Sequence, residues 1–225
     1  MEIANTVKPH IGEVFRICFP LILLLWILLV LYPNPSKLFV SLQRAFTPNI
    51  DPVAVESLSS GLSSDPAAIE SVVKQQIPYS YDWGTYGMPW YIPTVEEVLE
   101  KGEGDCKGRA LVLASVFEVK NITYRINMSP MHMWVEYEEK EATPMENPEV
   151  KFYQQDPETG ERSFQIPEIP VEKVMNSFWQ GFWEAMPGAR KALLLIGLPA
   201  LVKIRLTWFR KKKPQSYPRS ISISV

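Results

Sequence analysis

Gly104-Asp105-Cys106-Lys107-Gly108-Arg109-Ala110 places one of the chain's two cysteines on a glycine-rich turn. Apolar residues then recur at helical spacing from Ala110 to Phe117, and no proline follows before Pro130. The pattern predicts a helix with Cys106 in its first turn. Unpaired backbone N–H groups and the helix dipole favour an anion there, which stabilises the reactive thiolate. The alternative is an inert cysteine that packs as a small hydrophobic residue, but its charged neighbours argue against a fully apolar site.

A nucleophilic cysteine needs a base and usually a group that orients the base. The only histidine outside the N-terminal basic stretch is His132, which begins an alternating segment that predicts a strand. Two further strands are predicted at residues 122–128 and 150–155, and the second ends at Asp156 in a turn sequence. One antiparallel sheet would place His132 and Asp156 on neighbouring strands, facing the start of the predicted helix.

This order of cysteine, histidine and aspartate on helix, strand and strand resembles the transglutaminase-like superfamily of papain-type cysteine acyltransferases and peptidases. The resemblance covers about residues 65–165, and its most specific part is the Gly-x-Gly-Asp-Cys turn at 102–106. It also includes residues 93–99, 132–135 and 153–157. The resemblance implies an α+β, papain-like fold in which a cysteine at a helix N-terminus packs on an antiparallel sheet.

The resemblance also implies a role for each site residue. Cys106 would attack an acyl carbonyl, His132 would hold its proton and return it to the leaving amine, and Asp156 would fix the histidine tautomer. The backbone N–H of Cys106 is the natural first oxyanion donor. The indole N–H of Trp90 is a candidate second donor, beside the alternative that Trp90 packs under the helix or lines a groove.

Asn121 stands after the cysteine helix, where members of that family commonly carry glycine. Asparagine also tolerates the left-handed conformation of a helix C-cap, which is the role expected here. Residues 121–123 formally match a glycosylation sequon as well, but the cap explains Asn121 without it.

Two apolar stretches flank the central region. Residues 17–32 carry no charge, and with the residues before them they reach the roughly 20 needed to cross a bilayer. We predict an uncleaved transmembrane helix at 14–33, because no signal-peptide cleavage site follows it. The second stretch, within residues 173–209, is predicted to be either a tilted or broken transmembrane segment or an amphipathic helix in the membrane interface.

The formal net charge of −2 hides a strong separation of charge along the chain. Residues 51–172 carry 22 acidic and nine basic side chains, whereas residues 173–225 carry ten basic and one acidic. The basic tail at 210–225 is expected on the cytoplasmic side of a membrane. If both apolar stretches span, the acidic domain is extracytoplasmic, which is the localisation we expect. If only the first spans, tail and domain share a side.

The chain therefore divides into six parts. They are an N-terminal tail (1–13), the transmembrane helix (14–33), a Ser- and Pro-rich tether (34–64), a transglutaminase-like domain (65–172), a membrane-associated segment (173–209) and the basic tail (210–225). Residues 138–149, which are acidic, are predicted to form a solvated hairpin loop. Cys18 lies in the first apolar stretch, so no disulfide is expected within the domain.

Composition also bears on the function classes. One free cysteine and one usable histidine cannot build a zinc site without several carboxylates, and an acidic domain is a poor binder of nucleic acid. No cofactor or metal is therefore expected. We expect thiol-dependent acyl transfer or hydrolysis of a protein or peptide substrate by a membrane-anchored protein. The alternatives are a non-catalytic module that binds a partner in the same cleft, and a subunit of a membrane complex.

Overall fold

The computed structural model describes residues 7–130, 132–141, 143, 146, 149, 151–156, 158–166 and 171–210, and only the backbone of residues 7–16, 173, 209 and 210. The chain forms two compact units, one from Met1–Val30 and Gly188–Val225 and the other from Leu31–Pro187. The larger unit combines helices with one small antiparallel sheet, which confirms the α+β class expected from the sequence.

The larger unit contains these helices in chain order: α2 (Ser36–Phe46), α3 (Glu56–Ser59), α4 (Pro66–Gln76), α5 (Asp82–Thr85), α6 (Val95–Lys101), α7 (Cys106–Lys120), α8 (Val171–Phe178) and a π-helical segment (Trp179–Glu184). Its strands are β1 (Tyr124–Met128), β2 (Met133–Tyr137), β3 (Tyr153–Gln155) and β4 (Arg162–Phe164). They lie in the order β2-β1-β3-β4, and each neighbouring pair is antiparallel.

Helix α7 lies at the centre of this unit. Every side chain from Ala110 to Phe117 is buried, and the helix packs against α3, α4, α6, β1 and β2. A helix that is apolar on all sides is typical of a protein core. The helix ends at Asn121, which has the left-handed φ of 55° and ψ of 40° expected of a C-cap. The cysteine helix and its end are thus as the sequence predicts.

Residues 36–62 are part of the folded unit, in contrast to the tether predicted for 34–64. Val55 is fully buried in the core around α7. Arg44 of α2 forms a 2.9 Å ion pair with Glu97 of α6. The serine-rich composition indicated a tether, but α3 packs against α7, and apolar residues on both sides of α3 pack against the same core.

The smaller unit pairs α1 (Val7–Leu31) with α9 (Gly188–Arg210). Arg190 Nη1 donates a 2.8 Å hydrogen bond to the carbonyl of Val30. Gly197 lies against the Trp26 ring, and the Arg205 guanidinium lies 4.6 Å from the centre of the Phe19 ring. Residues later in α9 contact residues earlier in α1, so the two helices run antiparallel.

Within the described residues, no single helix has both the length and the apolar composition of a bilayer-spanning segment. Two pairs of helices, each interrupted by a short break, meet that test only together: Ile17–Leu31 with Ser36–Phe46, and Val174–Glu184 with Gly188–Trp208. Both α1 and α9 expose large apolar side chains, including Leu21, Leu24, Leu195 and Ile196. The transmembrane helix at 14–33 and the second span within 173–209 therefore stay predictions. Residues 1–6 and 211–225, in the two tails, lie outside the described residues.

The contact between α1 and α9 depends on the absence of a side chain at Gly197. A Cβ atom placed there would lie 2.5 Å from the Trp26 ring. Gly197→Ala is therefore expected to lower the free energy of unfolding by about 1–3 kcal/mol, the usual cost of overpacking. This loss opposes the intrinsic preference of helices for alanine over glycine. Thermal unfolding of the full chain in detergent measures it.

Gly188→Ala on the same helix is the matched control, since a Cβ atom there has no neighbour within 4 Å. Adding Trp26→Ala to Gly197→Ala should recover part of the loss. If the Gly197→Ala and Gly188→Ala proteins were equally stable, the close approach of the two helices would be disproved.

Candidate active site

Cys106 is the first residue of α7 and is a free, partly exposed cysteine. Asp105 caps the helix, because its Oδ1 accepts hydrogen bonds from the amides of Lys107 at 2.9 Å and Gly108 at 3.4 Å. With those two amides engaged by the cap, the N–H of Cys106 is the backbone donor best placed for the oxyanion that forms on a carbonyl oxygen when the Cys106 sulfur attacks its carbon.

A buried lysine holds the turn in front of Cys106. Lys107 Nζ lies 2.9 Å from Asp82 Oδ2 and also pairs with Asp105. Burial alone would lower the pKa of Lys107, but the two carboxylates raise it well above its ordinary value. Asp82 Oδ2 accepts a further hydrogen bond, at 2.8 Å, from the amide of Tyr91. The start of α7 is thereby joined to α5 and to the segment after it.

His132 lies directly before β2, in a turn closed by its own backbone. The amide of Ser129 donates to the carbonyl of His132 at 2.8 Å, and the amide of His132 donates to Ser129 Oγ at 3.0 Å. The imidazole stacks on Trp134, with 5.7 Å between ring centres. Burial lowers the pKa of His132, but hydrogen bonds and charge interactions with Cys106 and Glu146 outweigh burial and raise it to about 9. The imidazole beside the thiol is therefore protonated at neutral pH.

Glu146 supplies the carboxylate that faces His132. Its Oε1 lies 3.7 Å from His132 Nε2 and 3.0 Å from Lys140 Nζ, and the residue is only 8% exposed. Burial would raise the pKa of Glu146, but the hydrogen bonds with His132 and Lys140 lower it to about 2. A charged carboxylate thus stabilises the imidazolium and restricts its orientation.

The structure does not bring Asp156, the predicted third member, to His132. Asp156 Oδ2 accepts a hydrogen bond from Arg125 Nε at 3.3 Å. Its Oδ1 accepts from the amides of Glu158 at 3.0 Å and Thr159 at 3.2 Å. These bonds close a turn, and the turn role that its sequence also indicated is the one that the structure shows. Pro157 of the same motif lies outside the described residues.

Strand register explains this separation. Gln155 pairs with Ile126, so the next residue, Asp156, lies at the same height in the sheet as Arg125, near the beginning of β1. His132 lies beyond the opposite end of β1, because its carbonyl bonds to the amide of Ser129. Four residues of strand separate these levels by roughly 13 Å. β3 also pairs with β1 and not with β2, which adds to the distance.

The sequence did not single out Glu146. It is one of several glutamates in residues 138–149, which were predicted to be solvated, and no spacing distinguishes it from the others. In the structure the side chains of Glu146 and Lys140 are only 8% and 9% exposed. Residues 142, 144, 145, 147 and 148 of this loop lie outside the described part of the chain.

Aromatic residues border the site. Trp90 is partly buried against the core, as in the packing alternative, and its carbonyl accepts a 3.1 Å hydrogen bond from Tyr32 Oη. Its role as an oxyanion donor stays a prediction. Tyr79 is half-exposed and forms a parallel bridge with Gly104, beside the turn that carries Cys106. Partial burial and then the charge of Cys106 raise the pKa of Tyr79, so its hydroxyl stays a neutral hydrogen-bond donor.

Within the described residues, no group of three or more histidine, cysteine or acidic side chains is arranged to hold a metal ion. Comparisons of the chain with protein-family models, with curated proteins and with solved structures find no match. Function is therefore inferred from the residues that the fold brings together.

Glu146 and Asp156 can be compared directly as partners of the site. In a Cys18→Ser background, alkylation by iodoacetamide reports on Cys106 alone, because the chain has two cysteines. Glu146→Gln is expected to lower the alkylation rate at about pH 6.5 by about tenfold. Loss of the carboxylate lowers the pKa of His132 by about one unit, so the proton returns more readily from His132 to the Cys106 sulfur. The fraction of thiolate, the form that is alkylated, falls as a result.

Asp156→Asn is the matched control, because it removes the same charge from the Arg125 turn. Its rate should stay within about twofold of the parent, the scale of a surface change remote from the thiol. Equal losses in the two variants, or a larger loss in Asp156→Asn, would refute the assignment of Glu146.

Proposed function

We propose that this chain is a membrane-anchored, transglutaminase-like protein that transfers an acyl group through a thioester at Cys106. One observation carries the proposal: His132 lies beside Cys106, and Glu146 lies beside His132. The three residues come from the start of α7, the β1–β2 turn and the loop after β2. A nucleophile, a base and an orienting carboxylate in that order are the components of thiol acyl transfer.

The first half-reaction breaks an amide bond. The Cys106 thiolate attacks the carbonyl carbon, and the Cys106 N–H donates a hydrogen bond to the oxyanion that forms. The imidazolium of His132 gives its proton to the leaving nitrogen, the C–N bond breaks, and a thioester remains on sulfur. Glu146 stabilises the imidazolium before this step and fixes the neutral ring after it.

The second half-reaction restores the thiolate. Neutral His132 takes a proton from water or from an incoming amine as that nucleophile attacks the thioester, and the C–S bond breaks. Hydrolysis is the default outcome, because the thiol is partly exposed and water is present at high concentration. Tyr79 and Tyr81, whose rings meet edge-on at 5.3 Å, offer an aromatic wall beside the turn for a peptide substrate.

An activated ester tests the first half-reaction without knowledge of the natural substrate. With p-nitrophenyl acetate, the full chain in detergent should release a burst of nitrophenolate and carry an acetyl group on Cys106 in mass spectrometry. Cys106→Ser should abolish the burst, and His132→Gln should slow it by about a hundredfold, because the imidazolium that stabilises the thiolate is lost. An undiminished burst in Cys106→Ser would disprove the nucleophile.

We also propose that α1 and α9 anchor the protein in a bilayer as an antiparallel pair. Their exposed leucine and isoleucine side chains and their contacts with each other support this role. If both helices cross, the two chain termini share one side. The basic residues at 210–213 favour the cytoplasm, so the Cys106 domain would be extracytoplasmic.

Thiol labelling in intact cells tests this orientation. In the Cys18→Ser background, a membrane-impermeant maleimide should modify Cys106 without permeabilisation. In a Cys18→Ser, Cys106→Ala background, Ser220→Cys should be labelled only after permeabilisation. Labelling of Cys106 only in permeabilised cells would overturn the orientation.

A further inference from the structure

A nearly buried lysine stands behind Glu146. Lys140 Nζ donates a 2.7 Å hydrogen bond to the carbonyl of Val135 and a 3.0 Å hydrogen bond to Glu146 Oε1. Its side chain is 9% exposed, which is unusual for lysine unless its charge is paired. Lys140 therefore joins strand β2 to the loop that carries Glu146.

The same lysine reaches helix α4. Glu70 Oε1 lies 3.6 Å from Lys140 Nζ and 2.7 Å from Lys74 Nζ, and Glu70 Oε2 accepts a 2.6 Å hydrogen bond from Tyr137 Oη. Burial would raise the pKa of Glu70, but hydrogen bonds from Lys74 and Tyr137 lower it, so the carboxylate is charged at neutral pH. Glu70 thus ties Lys140 and the end of β2 to α4.

The backbone before Lys140 is held in an uncommon conformation. Glu139 has a φ of +61°, in the left-handed region that favours glycine. The Lys140 amide donates to the Tyr137 carbonyl at 3.2 Å, which closes the turn. A non-glycine residue keeps such a φ only where surrounding contacts fix it. The buried contacts of Lys140 supply that constraint.

We propose that Lys140 and Glu70 are positioning residues that hold Glu146 against His132. The orientation of the imidazole then depends on α4, which contributes none of the three proposed active-site residues. This inference rests on the proposed function, because it takes His132 as the base.

Removing Lys140 distinguishes a positioning role from a simple charge effect, because the two predict opposite changes in the pKa of His132. The titratable groups that face His132 are Cys106 from α7 and Glu146 from the loop. If Lys140 acts only as a nearby positive charge, its loss raises the pKa of His132. If it holds Glu146 in place, its loss releases Glu146 and the pKa of His132 falls.

Histidine-selective NMR measures that pKa directly. The chain has two histidines, so ring-labelled full-length protein in detergent gives two titrating signals, and His10→Gln identifies the His132 signal. We expect Lys140→Met to lower the pKa of His132 by about one unit or more, the size of losing an adjacent opposite charge. Lys140→Arg should retain the parent value. Lys151→Met is the control, since Lys151 instead bonds to Gln154.

An unchanged or raised pKa of His132 in folded Lys140→Met would overturn the positioning role. If that variant does not fold, Lys140→Gln replaces it, and a fall in the pKa of His132 is again the supporting result and no fall the opposing one. A parent His132 that titrates near its ordinary value of about 6.5 would instead contradict the protonated imidazole beside Cys106, and with it the proposed function.

Discussion

The buried pairing of Lys107 with Asp82 and Asp105 is the constraint on which the site depends. A buried charge that loses its partner costs about 3–5 kcal/mol, so the turn before α7 cannot shift without a large penalty. Asp105, one of the two aspartates that pair with Lys107, also caps α7. One set of contacts therefore fixes the helix start, the position of Cys106 and the direction of its backbone N–H.

The three proposed active-site residues are held by separate means. Asp105 fixes the turn of Cys106, paired backbone and hydroxyl bonds fix the turn of His132, and Lys140 holds the loop of Glu146. Asp105 forms an ion pair with Lys107, and Lys140 forms one with Glu146, whereas the turn of His132 is held by hydrogen bonds between neutral groups. The backbone turns of Cys106 and His132 are therefore held by contacts other than those that hold Glu146.

Local patterns predicted the parts of the fold that local forces decide. Helical spacing located α7, and the tolerance of asparagine for positive φ located its end at Asn121. The partner of His132 could not be predicted, because strand register carries Asp156 away and a contact between Lys140 and Glu70, 70 residues apart in the chain, helps to place Glu146. The burial of Val55 could not be predicted either, since it depends on contacts with a core built around α7, which the sequence near Val55 does not show.

The extent of the larger unit decides where a recombinant fragment can begin and end. Trp83, which is 2% exposed, donates a 2.9 Å hydrogen bond to the carbonyl of Phe182, so a fragment that stopped at residue 172 would uncover an indole ring. A fragment that began at residue 65 would lose the buried Val55 and the Arg44–Glu97 ion pair. A fragment that preserves these contacts should therefore keep residues 31–187 together.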